Sequence, residues 1–100
     1  MKYRLTDTAL EDMREIVRHI RHVQQSPQNA RLVSTRLRDS FRKLAHMPTL
    51  GHVREELRDD VLRVLPVTGL LVIYDPTVQP LTIVRIVHAA RDLGRIDPRA

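Results

Sequence analysis

Apolar residues in the first half of the chain recur at the three- and four-residue spacing of an amphipathic α-helix. A short run over residues 2–5 predicts a first strand. Thr6 is then a candidate N-cap, and Thr8 followed by Glu11 forms a capping-box pattern that offers a second start two residues later. The stripe of this first predicted helix consists of Leu10, Met13, Ile16, Val17 and Ile20.

Ser26 and Pro27 predict the start of a second helix, with the serine as N-cap and the proline in the first helical position. The pattern ends before His46. Since only about four residues separate the two patterns, we expect the helices to form an antiparallel hairpin. The apolar stripe of the second helix contains Ala30, Val33, Leu37, Phe41, Leu44 and Ala45.

Three strand-like runs follow a charged loop over residues 47–60, and the turn residues between them predict an antiparallel meander. Alternation in the last run places Val84, Ile86 and His88 on one face, and Arg85 with Val87 on the other. The predicted fold is α+β, in the order β-α-α-β-β-β, with a helical hairpin packed on a small antiparallel sheet. The predicted strands cover residues 61–67, 70–74 and 81–88.

We expect a single domain over residues 1–100, in which residues 94–100 form a frayed tail. Aromatic residues are scarce, so the core must be largely aliphatic, with Phe41 as its largest predicted member. The predicted core comprises Leu10, Met13, Ile16, Val17, Ile20, Val33, Leu37, Phe41, Leu44, Val64, Val72, Ile73, Val84 and Ile86.

The charge of the chain is basic and is carried by arginine. Its 17 Lys and Arg residues, 15 of them Arg, outweigh 12 Asp and Glu and give a net charge of +5. Because the arginine guanidinium pairs with carboxylates and phosphates, the charge is consistent with an acidic protein partner or with a nucleic acid. It is equally consistent with a basic surface that is only solvated. The lack of cysteine excludes disulfides and thiolate chemistry. With no membrane-length apolar run and no signal peptide, we expect a cytoplasmic protein.

Motifs for catalysis or cofactor binding are missing from the sequence, since the glycines are isolated and the histidines lack metal-ligand spacing. One hypothesis is that Arg63, His88 and Arg91 lie together at one end of the sheet, where they would bind phosphate groups. The alternative pairs Arg91 with Asp92 or Asp75 and treats His88 as a structural histidine. The basic residues in or just after the strands are Arg63, Arg85, His88 and Arg91.

The segment His-Ala-Ala-Arg-Asp at residues 88–92, directly after the last strand, resembles the closing signature of ParE-type toxins of the RelE/ParE superfamily. Residues 41–48, followed by Gly51, resemble the exit of that family's second helix, and residues 71–74 resemble its middle strand. The resemblance extends over residues 3–93 and implies the fold described above. It also implies a ParD-like antitoxin whose C-terminal segment wraps the toxin.

The resemblance further implies a toxin that inhibits DNA gyrase by binding it, with no catalytic residues and no cofactor of its own. RelE-like relatives instead cut messenger RNA on the ribosome, often with a late tyrosine, whereas no aromatic residue follows Tyr74 here. In that alternative the arginines of the strand region would hold phosphates and His88 would move a proton. A third alternative is a non-toxic module that only binds its antitoxin. The nuclease alternative would use Arg63, Arg85, His88 and Arg91.

Partner-binding candidates come from both the helices and the sheet. An acidic amphipathic antitoxin segment would cover apolar surface and pair its carboxylates with the arginines that flank the helical stripes. The candidates are Arg14, Arg18, Arg21, Arg38, Arg42, Arg63, His88 and Arg91.

Overall fold

A computed structural model describes residues 2–99, and its helices and strands follow the predicted order. The α+β class, with two helices on one sheet, is confirmed. In chain order the elements are β1 (Tyr3–Leu5), α1 (Asp7–Arg18), α2 (Pro27–His46), β2 (Arg63–Val67), β3 (Leu70–Asp75) and β4 (Leu81–His88).

Both helices begin at side-chain caps. The Thr6 hydroxyl accepts a hydrogen bond of 3.1 Å from the Ala9 N–H, so α1 starts from Thr6. The Ser26 hydroxyl accepts one of 3.2 Å from Asn29, directly before α2. Each cap satisfies a backbone donor that has no partner inside the helix. Beyond α1 the chain continues as a π-helical turn over His19–Val23.

The sheet formed within residues 2–99 has the strand order β1-β4-β3-β2. The pairs β2–β3 and β3–β4 are antiparallel, as the turns between them predict. Strand β1 lies parallel to β4, with Tyr3 opposite Leu81. The sheet is therefore mixed, whereas the prediction was an antiparallel sheet. Turn residues indicate the relative direction of strands that are consecutive in the chain. They carry no information about β1, which pairs with a strand near the other end of the sequence.

The register between β3 and β4 shifts after Ile73, so that Val84 is an extra residue in β4. Ile86 therefore packs on the helix side of the sheet, whereas Val84 and Val87 pack on the opposite side. The predicted sharing of one face by Val84 and Ile86 is wrong because a bulge interrupts the two-residue alternation.

Buried side chains in the described residues form two clusters, one on each face of the sheet. In the helix-side cluster Phe41 is 1% exposed and meets the Tyr3 ring edge-on, with 5.3 Å between ring centroids. The second cluster lies between the sheet and the C-terminal segment and includes Leu93 and Ile96. Most of the predicted core is buried or half-buried, but Leu10 is 37% exposed, so its placement in the core was wrong.

The C-terminal segment is packed and not frayed, as far as residue 99. Ile96 is buried in the second cluster, and Pro98 is buried as well. The Arg99 Nε lies 2.7 Å from the Asp59 carboxylate, and its Nη1 lies 3.5 Å from that of Asp75. The predicted fraying of this segment is therefore wrong, and residue 100 lies outside the described residues.

Candidate partner-binding groove

An open groove of about 660 Å³ lies between α1 and α2. Its floor is partly apolar, and basic side chains from both helices stand around it. The residues that line the groove are Leu10, Met13, Arg14, Val17, Arg18, Arg21, His22, Ala30, Arg31, Ser34 and Arg38.

The apolar part of the groove arises because the apolar stripe of α1 is wider than the contact with the sheet requires. Ala9, Met13 and Ile16 pack with the helix-side cluster. Leu10 and Val17 lie beside that row and line the groove instead. When the apolar side chains of a helix cover more than one face, one row can pack in the core and the next row can contact a partner.

The electrostatic character of the groove is uniformly basic. In residues 2–99, no aspartate or glutamate lines the groove, and none of its arginines forms an ion pair. Arginines that carry no internal carboxylate partner are available to an external one. The arginines concerned are Arg14, Arg18 and Arg21 of the first helical segment, and Arg31 and Arg38 of α2.

The predicted partner-binding residues divide between this groove and other surfaces. Arg42 lies outside the groove and pairs with Asp39 on its own helix. The helical periodicity could not assign Ser34 to the site, because only the position of the neighbouring helix shows which face of α2 stays open. The predicted residues that the groove brings together are Arg14, Arg18, Arg21 and Arg38.

Arg63 supports a loop beside the sheet. Its Nη1 donates to the Gly51 carbonyl at 2.7 Å and to the Thr49 carbonyl at 3.5 Å. The same loop is held by the Tyr74 hydroxyl, which donates to the Pro48 carbonyl at 2.7 Å and accepts from the Gly51 N–H at 2.8 Å. Burial raises the pKa of the Tyr74 phenol, which keeps this donor protonated.

Arg85 is also engaged within the fold, since it pairs with Asp12 of α1 and only 16% of its side chain is exposed. His88 and Arg91 are exposed and line a smaller cavity of about 280 Å³. The other residues around this cavity are Asp12, Glu15, Ile16, His19, Ile86 and Val87.

The hypothesis that Arg63, His88 and Arg91 gather at one end of the sheet is wrong. Arg63 lies opposite Tyr74 near the end of β3, and His88 lies opposite Leu70 at its start. Tyr74 lies four residue steps beyond Leu70 along the strand, which corresponds to roughly 13 Å. The four basic residues of the nuclease alternative are therefore not assembled into one site.

The carboxylates expected to pair with Arg91 have other partners. Asp92 lies 3.5 Å from the Nε of Arg95, and Asp75 interacts with Arg99. Neither of the two expected ion pairs of Arg91 is therefore formed in this structure.

Two further features of residues 2–99 bear on the kind of protein this is. No group of three or more His, Asp or Glu side chains in this range is placed to hold a metal ion. Neither helix in it has the length and apolar character that crossing a membrane requires.

The fold and the groove together define a small α+β domain that presents a basic surface on a helical hairpin. A family model described as the ParE toxin of the type II toxin–antitoxin system parDE matches residues 3–93. The chain therefore belongs to the ParE toxin family.

Comparison with solved structures agrees with this assignment at the level of the fold. A chain from a structure titled "Chromosomal ParDE TA system from P. aeruginosa" superimposes with a TM-score of 0.72 at 19% sequence identity. The match covers 88% of the present chain and 95% of the other. No curated protein matches the sequence.

Proposed function

We propose that this ParE-family toxin inhibits DNA gyrase by binding it, and that a ParD-like antitoxin keeps it inactive by occupying the groove between α1 and α2. The observation that carries the antitoxin part is the groove itself, in which arginines without a carboxylate partner surround a partly apolar floor. Such a surface favours a partner that is apolar along one side and acidic beside it.

In the antitoxin part of the proposal, apolar contacts and charged contacts contribute differently to binding. Leu10 and Val17 offer apolar area that is open to a partner, and burial of such area contributes most of the affinity of an interface. The surrounding arginines attract an acidic chain over a distance of several ångströms and select against a basic one.

The gyrase part is supported by family membership together with the arrangement of the sheet residues. Arg63 and Arg85 are used for internal contacts, and Arg63 lies far from His88. A dispersed set of this kind favours inhibition by binding over phosphodiester cleavage, which needs its groups within hydrogen-bond reach of one substrate. The exposed His88 and Arg91, with the C-terminal segment that follows them, are the proposed gyrase contacts.

A supercoiling assay with purified gyrase tests this proposal. We expect the toxin to inhibit supercoiling, and the product of the reading frame adjacent to this gene to restore it. The double substitution of His88 and Arg91 by alanine should weaken inhibition and leave antitoxin binding unchanged. Replacing Arg18 and Arg21 by alanine should do the reverse.

Other results would select among the alternatives. Ribosome-dependent cleavage of messenger RNA that is lost in Arg91→Ala would favour the nuclease, and would contradict the gyrase proposal. Tight binding to the adjacent-frame product, with neither gyrase inhibition nor cleavage, would identify a non-toxic binding module.

A further inference from the structure

Strand β2 forms one edge of the sheet described by residues 2–99, and backbone groups in and just before it point outward from that edge. Successive residues of a strand direct their N–H and C=O groups to alternate sides, so every second residue faces away from β3. The backbone bridge between His52 and Val64 identifies Val64 as one of these outward residues. Steps of two residues along the chain make Leu62 and Pro66 the other two.

Each of the three outward residues is closed in a different way. The Val64 N–H donates to the His52 carbonyl at 2.8 Å, and the Val64 carbonyl accepts from the His52 N–H at 3.0 Å. The Leu62 N–H donates to the Asp59 carboxylate at 3.0 Å. Pro66 has no N–H to donate. A further strand needs free donors at these positions, and this edge offers it none.

Side chains of the sheet fix the loop over residues 48–52 that closes the edge. The Tyr74 hydroxyl accepts from the Gly51 N–H at 2.8 Å, and Arg63 Nη1 donates to the Gly51 carbonyl at 2.7 Å. Gly51 is buried, and a Cβ added there would lie 2.8 Å from the Tyr74 hydroxyl oxygen and 2.8 Å from the Val64 carbonyl oxygen. A single added methyl group would therefore push the loop away from the carbonyl to which it is bonded.

The β2 edge is self-complementary once the loop is removed from it. Two copies related by a two-fold axis can lie antiparallel with Val64 of one copy opposite Val64 of the other, where they exchange both N–H···O=C hydrogen bonds. Leu62 of each copy then lies opposite Pro66 of the other, and its N–H can donate to the proline carbonyl. The bridge to His52 uses the same two Val64 groups that this pairing of strands requires.

We propose that the loop over residues 48–52 guards the β2 edge against pairing with a second copy of this chain, and that Gly51, Arg63 and Tyr74 position the guard. A second copy is the occupant that the edge fits, because the two-fold pairing satisfies the freed Val64 groups of both chains at once. The net charge of +5 on each copy opposes association, but salt at physiological strength screens this repulsion over about 8–10 Å. The inference depends neither on the target of the toxin nor on its antitoxin.

Displacing the loop tests this proposal. Gly51→Ala forces the loop from the edge, whereas Thr49→Ala introduces the same side chain at an exposed loop position and leaves the anchoring hydrogen bonds in place. Sedimentation equilibrium at about 150 mM salt measures the oligomeric state. Amide hydrogen exchange measures the protection of the Val64 N–H. We expect the unmodified protein and Thr49→Ala to be monomeric, and Gly51→Ala to form a dimer in which Val64 stays protected.

Two further variants separate the guard from the strand pairing. If circular dichroism shows that Gly51→Ala is unfolded, Tyr74→Phe combined with Arg63→Met removes the anchors without a clash and keeps the buried ring, and it should dimerise instead. Pro66→Val supplies the missing N–H opposite Leu62. Added to the displaced-loop variant, it should tighten the dimer roughly 10- to 100-fold through two new hydrogen bonds. Alone, with the loop in place, it should leave the protein monomeric.

Several results would overturn the proposal. A folded Gly51→Ala protein that stays monomeric would do so, whether its Val64 N–H is protected or not, and so would a monomeric anchor variant where Gly51→Ala is unfolded. A dimer whose affinity does not respond to Pro66→Val would show that the copies associate through another surface. Dimerisation of the unmodified protein or of Thr49→Ala would show that the loop does not guard the edge.

Discussion

Asp12 and Arg85 form a two-pronged ion pair between α1 and β4, with Arg85 Nε 2.7 Å from Oδ2 and Nη2 3.2 Å from Oδ1 of the aspartate. The same Asp12 carboxylate accepts a hydrogen bond of 3.0 Å from the Ile86 N–H. Strand β1 pairs with β4 only as far as Ile83. Asp12 therefore supplies the acceptor that a neighbouring strand would otherwise provide, and it fastens α1 to the sheet edge.

Replacing Asp12 by alanine should lower the free energy of unfolding by about 2–4 kcal/mol, because it leaves a largely buried guanidinium and a backbone N–H without their acceptor. Glu11→Ala, at an exposed position one residue earlier, should change it by less than about 0.5 kcal/mol. Urea unfolding of both variants measures the difference. Equal stabilities would show that the ion pair contributes nothing to holding α1 in place.

Phe41 is the largest predicted core side chain, and it belongs to the helix-side cluster with 1% exposure. We expect Phe41→Ala to cost about 3–5 kcal/mol through lost burial and the cavity it leaves, a large part of the stability of a domain of this size. Leu32→Ala is the control, since Leu32 lies on the same helix but is 45% exposed. An unfolding midpoint for Phe41→Ala close to that of the control would mean that the core is misplaced.

The C-terminal segment should give the stability of the protein a pH dependence in the acid range. The Arg99 side chain, with help from the Leu62 and Val61 N–H groups, lowers the pKa of Asp59 to about 2. Since the unfolded chain takes up this proton at about pH 3.9, the contribution of Asp59 is present above that pH. It is lost as the pH falls through the folded-state value.

Asp59→Asn tests this expectation. The difference in the free energy of unfolding between this variant and the unmodified protein should be constant from about pH 7 to 5 and narrow between about pH 4 and 2. Guanidinium unfolding over this range measures it. Asp60→Asn, at an exposed neighbour, should stay within about 0.5 kcal/mol throughout. A difference for Asp59→Asn that persists unchanged at pH 2 would show that Asp59 acts through packing and not through its charge.

The parts of the fold that depend on nearby residues could be predicted from the sequence. Thr6 and Ser26 cap helices through donors three residues away, and the apolar spacing of α2 identifies its buried face. Local signals also mark the turns of the meander, so the order of the elements follows from the chain itself.

The features that sequence reasoning missed depend on contacts between distant residues. Leu10 belongs by periodicity to the stripe of α1, yet only the position of α2 leaves it open to the groove. Ile96 follows a polar stretch, and its burial depends on the second face of the sheet, where it packs with Leu57 and Leu62. The hypothesis that gathers Arg63, His88 and Arg91 at one end of the sheet fails for the same reason, because the pairing register puts Arg63 and His88 near opposite ends of β3.

Salt should separate the roles of charge and apolar area in antitoxin binding. The groove arginines are solvent-exposed, and exposed ion pairs contribute only about 0–1 kcal/mol each. Their field is screened over roughly 8–10 Å at physiological salt, so they act mainly on the rate of encounter. Raising the salt from about 50 to 300 mM should then slow association several-fold and change dissociation little, as is typical of rim charges.

Substitutions of charged and of apolar groove residues should affect different rates of binding to the adjacent-frame product. Stopped-flow mixing measures the association rate, and surface plasmon resonance measures the dissociation rate. Replacing Arg18 and Arg21 by alanine should lower the association rate and flatten its salt dependence, whereas Leu10→Ala should chiefly speed dissociation. Arg36→Ala is the matched control, because Arg36 is exposed on α2, contacts Thr68 and does not line the groove. A complex that falls apart at moderate salt would mean that charge, and not apolar contact, holds the partner. An equal effect of Arg36→Ala would mean that net charge acts without regard to the groove.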